Sequence, residues 1–400
     1  MSHALVDTDA AVATLMRLLA IEGTTGHEDG VSRELNTMLR DFGVPPKSIR
    51  SDDAHSRIPV PTPCGNLWVE LPGTRPGKRR LFSAHMDTVP LCAGVKPEKH
   101  GNKIVSSGNT ALGGDDRTGV AVLVTMIQTL LKHDLPHPPL TLLFTVREES
   151  GLYGARHVHP DDLDGITMGF NFDGRSAADV TIGAIGAERW DVEIQGKAAH
   201  AGVAPETGIS ATAIASLAIA EVYKGGWFGK VVKGEQRGTS NVGSLAGPTG
   251  GSAGDATNVV TDYLMVKGES RSHDAKFAKA ITTAYKTAFV NAGRLVTDAA
   301  GKTAKVKFNS RVDYTAFHIK ETAPVVKVAE AAVKAIGLEP KLKVADGGLD
   351  ANWFIKHGVP VVTLGAGQNA IHTVDEYVDI PEFVRGCRLA VALAMAEDAA

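Results

Sequence analysis

Cysteine is scarce in this chain: Cys64, Cys92 and Cys387 are the only three in 400 residues, and no two form a CxxC pair. That spacing excludes a disulfide scaffold and a thiolate metal site, and it fits a reducing compartment, the cytoplasm. No apolar run approaches the ~20 residues that a membrane-spanning helix requires. The N-terminus lacks the basic and then apolar pattern of a signal peptide. Neither sign of charge dominates, since 42 Lys and Arg stand against 45 Asp and Glu. A net charge of −3 gives no electrostatic footprint for nucleic acid or an anionic membrane. The one basic cluster, RPGKRR at 75–80, precedes an apolar strand and reads as a solvated turn. Repeats and low-complexity tracts are absent.

What is present has the texture of an ordinary globular protein, 43% apolar and 22% charged, and the length suggests more than one core. Short apolar runs at 66–71, 79–84, 140–146 and 165–172 alternate with helical stretches such as RTGVAVLVTMIQTLLKH at 117–133. Strands apolar on both faces, separated by helices, predict an α/β layer with a mainly parallel sheet covered by helices. From about residue 186 the order becomes strand, helix, strand, strand, helix, strand, ending near 314. That is the split βαβ arrangement, a compact α+β unit. The α/β pattern resumes beyond it, so the expected division is a discontinuous domain, 1–185 with 315–400, interrupted by an insertion, 186–314. The loop GPTGGSAGDA at 247–256 reads as a long hairpin connection.

Five candidate metal ligands recur in short distinctive phrases, most of them just after an expected strand: His85 in SAHMDTVP, Asp115 in ALGGDDRTG, Glu149 in FTVREESGLYGA, Asp173 in FNFDGRS and His372 in NAIHTVDEY. In parallel sheets, ligands bind beyond the carboxyl ends of the strands. Two imidazoles and three carboxylates suit a pair of divalent cations that share one carboxylate. Taken singly, each phrase has a bland reading: a structural histidine, an Asp capping a helix, an exposed acidic turn. Together they point to a two-metal hydrolase. Asp87, two residues from His85 on an extended segment, can approach its imidazole and orient it. Asp115 is assigned the bridging position and Asp116 a capping or supporting one. Glu148 and Glu149 are costly to desolvate side by side without cations. Glu149 would bind metal while Glu148 serves as general base.

These phrases resemble the two-zinc metallopeptidases that include peptidase T, carboxypeptidase G and aminoacylase, with the peptidase T branch the nearest in pattern. The resemblance spans almost the whole chain. It implies a two-zinc catalytic domain with an inserted lid that often serves for dimerisation. His85 and Asp173 would hold one zinc, Glu149 and His372 the other, and Asp115 would bridge. The resemblance further implies that His200, in GKAAHAG, stabilises the oxyanion, although Ala201 stands where the family has proline. Asn258 and Arg271 would bind the substrate's backbone or carboxylate, and Gly347, Gly348 and Asp350 would form a substrate-side loop. Asp rather than Glu at 173 favours small peptides. The expected activity is release of the N-terminal residue from tripeptides or other short peptides; cobalt or manganese could replace zinc. Two alternatives remain, an amidohydrolase of N-acyl amino acids and a non-catalytic metal-binding scaffold.

Overall fold

The computed structural model describes residues 5–247, 249–254 and 256–397. The chain divides into two compact units, Met1–Ala184 with His318–Ala400, and Ile185–Phe317.

In the first unit, short apolar runs assemble into a mixed sheet. Strands Leu140–Thr145, Arg79–His85, Ile166–Phe172 and Val361–Leu364 lie side by side and run parallel. On one flank Leu67–Leu71 pairs antiparallel with Leu140–Thr145, and on the other Asp179–Ala184 pairs antiparallel with Val361–Leu364. The parallel arrangement expected from the sequence therefore describes the centre of the sheet. Strand direction depends on where each connection crosses, which hydrophobic pattern does not encode. All six residues of Leu140–Thr145 are buried, as a strand covered on both faces requires. The helix Gly114–Lys132 packs against strand Arg79–His85 and against helices Thr8–Leu19 and Ile380–Met395. Its first fourteen residues, Gly114 to Ile127, are buried without interruption, which explains why the helix is apolar on every side from Gly119 to Val124.

The basic cluster is a solvated turn only in part: Pro76, Gly77 and Lys78 are exposed, but its last arginine is not. Arg80 is fully buried and donates Nη1 to the Leu393 carbonyl at 2.6 Å, while Arg75 donates Nη2 to the carbonyls of Met395 and Ala396 at 3.0 and 2.6 Å. These carbonyls lie at the end of the helix Ile380–Met395, where backbone donors run out; Leu393 also accepts Ala396 N–H at 3.3 Å, and the two guanidinium groups add donors to the helix end.

A small antiparallel sheet runs in the order Gln368–Asn369, Tyr377–Asp379, Lys103–Ser106, Pro97–His100. Its first two strands enclose the turn 370–376, which carries His372.

The second unit is a five-stranded antiparallel sheet in the order Gly229–Lys233, Gln236–Ala246, Tyr263–Ser272, Gly186–Gln195, Lys305–Tyr314. Helices Ala211–Lys224 and Ala275–Leu295 pack against each other and against the sheet, over a core that includes Trp190, Val266, Phe277 and Tyr285. The expected split βαβ order gains one edge strand, Gly229–Lys233. It pairs back through a two-residue turn at 234–235 in which Gly234 has φ 61°, a Gly-X hairpin signal that a pattern search for apolar runs passes over. Of the strands expected there, the one after the glycine-rich loop is Tyr263–Ser272. In the glycine-rich loop, Pro248 and Asp255 lie outside the described residues. Among the described residues no helix is long and apolar enough to cross a membrane.

Candidate metal centre and active site

The parallel strands bring their ends level. His85 is the last residue of its strand and sits in register with Thr145, while Ser83 is in register with Asn171, two residues before Asp173. Glu148 and Glu149 follow Thr145 through a turn in which Arg147 adopts a left-handed φ of 52°. The Arg147 side chain pins that turn by donating Nε to Thr62 Oγ1 at 2.7 Å and Nη2 to the Pro61 carbonyl. Asp115 and Asp116 sit in the first turn of helix Gly114–Lys132, with non-helical backbone angles that turn them out of the helix. His372, at φ 62°, arrives from the turn of the small sheet.

These residues converge. His85 Nε2 lies 3.2 Å from Asp115 Oδ1 and 4.0 Å from Asp173 Oδ1. His372 Nε2 lies 3.2 Å from the other Asp115 oxygen, Oδ2, and 2.9 Å from Glu149 Oε1. Two donors on one tetrahedral cation, each ~2.0–2.2 Å from it, stand roughly 3.3–3.6 Å apart. The observed separations bracket that value, and Asp115 offers one oxygen to each imidazole. The donor atoms of His85, Asp115 and Glu149 all lie within 4.8 Å of one another, as do those of His85, Asp116 and Asp173. The set can hold divalent metal.

The electrostatics call for one. Burial pushes the Asp173 carboxyl up to about 8, with the Asp115 charge adding to it. Burial likewise raises Glu148 well above the usual range, against the opposing pull of His85 and with Asp173, Glu149 and Asp350 adding to the rise. Burial would lower His85, but the carboxylates of Asp115 and Asp87 hold it well above an ordinary imidazole. Asp115 is itself depressed: burial works against ionisation, and hydrogen bonds from His372 and His85 overcome it. Carboxylates crowded so that some must stay protonated form a site that cations would neutralise.

Four further groups hold this arrangement. Asp87 fixes His85 mainly through its carbonyl, 2.9 Å from Nδ1, with the carboxylate at 3.5 Å. That carboxylate instead accepts the backbone N–H groups of Glu148 and Glu149, at 2.9 and 3.2 Å. The expected orienting role is thus shared between backbone and side chain. Asp116 caps its helix, accepting from Gly119 N–H at 3.0 Å, and also receives His85 N–H at 3.1 Å. Gln368 donates Nε2 to Asp173 Oδ1 at 3.1 Å and accepts from Thr118 at the same distance. Glu376 receives three backbone N–H groups from 112–115. Gln368 and Glu376 were not legible in the sequence: Gln368 lies in a buried stretch, whereas Glu376 is a buried residue directly after an exposed turn.

Asp350 is buried. Its Oδ2 accepts from Thr145 Oγ1, and its Oδ1 is without a hydrogen-bond partner; burial pushes its carboxyl up to about 6. Gly347 is exposed and Gly348 half-buried. In the second unit, His200 is exposed and accepts Gly202 N–H on Nδ1 at 3.1 Å. The neutral ring therefore carries its proton on Nε2, free to donate. Asn258 lies beside it, its carbonyl accepting Ala201 N–H at 2.8 Å, with Val259 bridged to His200. The Arg271 fork is already engaged, Nε and Nη2 donating to the two Glu269 oxygens at 2.8 and 3.0 Å.

Known proteins share this architecture throughout. The aminopeptidase PepT from Bacillus cereus superposes with a TM-score of 0.80 at 31% identity, over 98% of this chain and 99% of that one. A tripeptidase from Staphylococcus aureus gives 0.84 at 28%, over 98% of both. Carboxypeptidase G2 of a Pseudomonas species is 27% identical over 96% of this chain and 89% of its own. With an imidazole–carboxylate cluster at the strand ends and residues 81–396 matching the model of Peptidase family M20/M25/M40, the chain belongs to that family and is a peptide-bond hydrolase of the metallopeptidase kind.

Proposed function

We propose that the chain is an aminopeptidase of short peptides, releasing the N-terminal residue of free tripeptides with the help of two zinc ions. The observation that carries the two-cation reading is Asp115, whose two oxygens each stand 3.2 Å from a different imidazole. His85 and Asp173 would hold one ion, and Glu149 and His372 the other. When bound, such a pair acidifies water and polarises a carbonyl. The relatives described as an aminopeptidase and a tripeptidase support the substrate class, since each matches nearly the full length.

The protein's own groups divide the remaining work. Glu148, its carboxyl raised by burial and neighbouring carboxylates, takes the proton of the attacking water and passes it to the leaving amine. His200 Nε2–H donates to the oxyanion of the tetrahedral intermediate, and losing one such donor costs ~10²–10³ in turnover. Arg271, with Asn258, would receive the substrate's carboxylate or backbone by exchanging its Glu269 partner for it. Gly347, Gly348 and Asp350 would border the substrate. We place the enzyme in the cytoplasm, consistent with its three free cysteines, as a homodimer through the inserted unit.

A panel of a free tripeptide, a dipeptide, an N-blocked tripeptide and an N-acetyl amino acid tests this reading, before and after chelation and zinc repletion. Zinc-dependent release of the N-terminal residue from the free tripeptide, with the blocked one untouched, is the expected result. Preference for the N-acetyl amino acid would replace it with an acylase.

A further inference from the structure

Glu376 has no part in the hydrolytic steps, yet its buried carboxylate is fully used. Oε2 accepts the N–H groups of Leu112 and Gly113 at 2.9 and 2.8 Å, and Oε1 accepts that of Asp115 at 3.0 Å. The backbone can curl around one carboxylate because Gly113 adopts φ 78° and Gly114 leaves space. A Cβ on Gly114 would stand 2.9 Å from Val378 Cγ2 and 3.2 Å from Glu376 Oε1. The turn that supplies Glu376 also supplies His372. Glu376 N–H closes it onto the Thr373 carbonyl at 3.2 Å, and Thr373 Oγ1 donates to the Ala370 carbonyl at 2.7 Å. One turn thus grips the backbone of Asp115 while presenting the imidazole that meets its side chain, 3.2 Å away.

We propose that Glu376 is a positioning residue for the cation pair: it fixes the carboxylate of Asp115 between the two imidazoles, so that tight binding of the second ion depends on it. The proposal rests on the two-cation reading. Glu376→Gln keeps one acceptor oxygen and turns an amide NH₂ toward a backbone donor where the other oxygen stood, so one side of the grip is lost. Partners that orient metal ligands typically govern ~10–100-fold in affinity.

The test is calorimetric titration of zinc into folded, metal-free protein, with the cobalt absorption spectrum as a second readout. Wild type is expected to bind two ions per chain. E376Q should bind one of them as wild type does and the other ~10–100-fold more weakly, with an altered cobalt spectrum. Its kcat at limiting zinc should fall in step and recover with excess metal, while KM changes by less than about twofold. Asp379→Ala is the control. Asp379 caps the helix Ile380–Met395 by accepting Glu382 N–H at 3.0 Å, so its loss lowers the melting temperature without touching Asp115, and both ions should bind normally. Should E376Q not fold, Gly114→Ala displaces the same carboxylate and is expected to show the same selective loss. Binding of both ions by E376Q at wild-type affinity overturns the proposal, as does an equal weakening in D379A. A wild type that binds fewer than two ions fails the two-cation reading itself, and the proposal with it.

Discussion

At the scale of single residues, Asp115 and Glu148 divide the chemistry by environment. Two imidazoles draw Asp115 into its ionised form, while burial among other carboxylates holds Glu148 protonated more readily. A carboxylate that is reluctant to ionise is a better proton acceptor once it has done so, which suits a general base. Glu148→Gln should therefore lower kcat by ~10²–10⁴ with metal content unchanged, as read by steady-state kinetics beside metal analysis; near-wild-type turnover would remove Glu148 from the role. The same crowding gives a pH dependence. In the metal-free fold, Asp173 titrates at about 8, and its unfolded counterpart near 4. Between those values the folded state holds more protons, so stability falls as pH rises. His372, raised to about 10 by its bonds to Asp115 and Glu149, adds the same sign above its ordinary value. Bound cations favour the ionised carboxylates and cancel the loss. The gap in melting temperature between metal-loaded and chelated protein should widen from about pH 5 to about pH 8, and a gap that stays flat contradicts the account. The five candidate ligands stood out in the sequence because each has its own phrase, most of them at an element's end, and the fold brings them together. The Asp87 carbonyl, Gln368 and Glu376 did not stand out, because their partners are backbone groups and side chains fixed only by folding; Glu376 meets Asp115 across 261 residues.

At the scale of elements, strand ends and helix ends make the site. Three of the parallel strands deliver His85, Glu148, Glu149 and Asp173 to one edge, and the kinked first turn of Gly114–Lys132 adds Asp115. Hydrophobic runs revealed the strands, though not the antiparallel flanks, and helical spacing placed the long helix within three residues of its true start. The edge strand Gly229–Lys233 escaped notice because its alternation, KVVK, is too short to stand out. In the cluster 75–80, charge density agrees with the exposure of Pro76, Gly77 and Lys78 but does not reveal the buried Arg80. Local charge density predicts exposure, whereas Arg80 finds a helix end 313 residues away. Arg80→Met keeps the buried aliphatic volume and removes the donor to Leu393. It should cost about 1–3 kcal/mol of unfolding free energy in denaturant titration, with KM unchanged; an unaltered midpoint would show that the carbonyl is satisfied without it.

At the scale of the whole molecule, one compact unit carries the candidate metal ligands and Glu148, and the other carries His200, Asn258 and Arg271. The insertion was visible as a change in texture near residue 186, because a split βαβ order is itself a complete two-layer unit. How Arg271 is used was not visible, since its engagement by Glu269 is a contact of the folded sheet. The central claim is that two cations shared through Asp115 drive removal of the N-terminal residue from a short free peptide. The most direct measurement is titration of the metal-free enzyme with zinc while the release of that residue from a tripeptide is followed. Activity that is absent without metal and climbs to a plateau at two equivalents per chain is the predicted result. Full activity in the chelated protein, or a plateau at one equivalent, would contradict it.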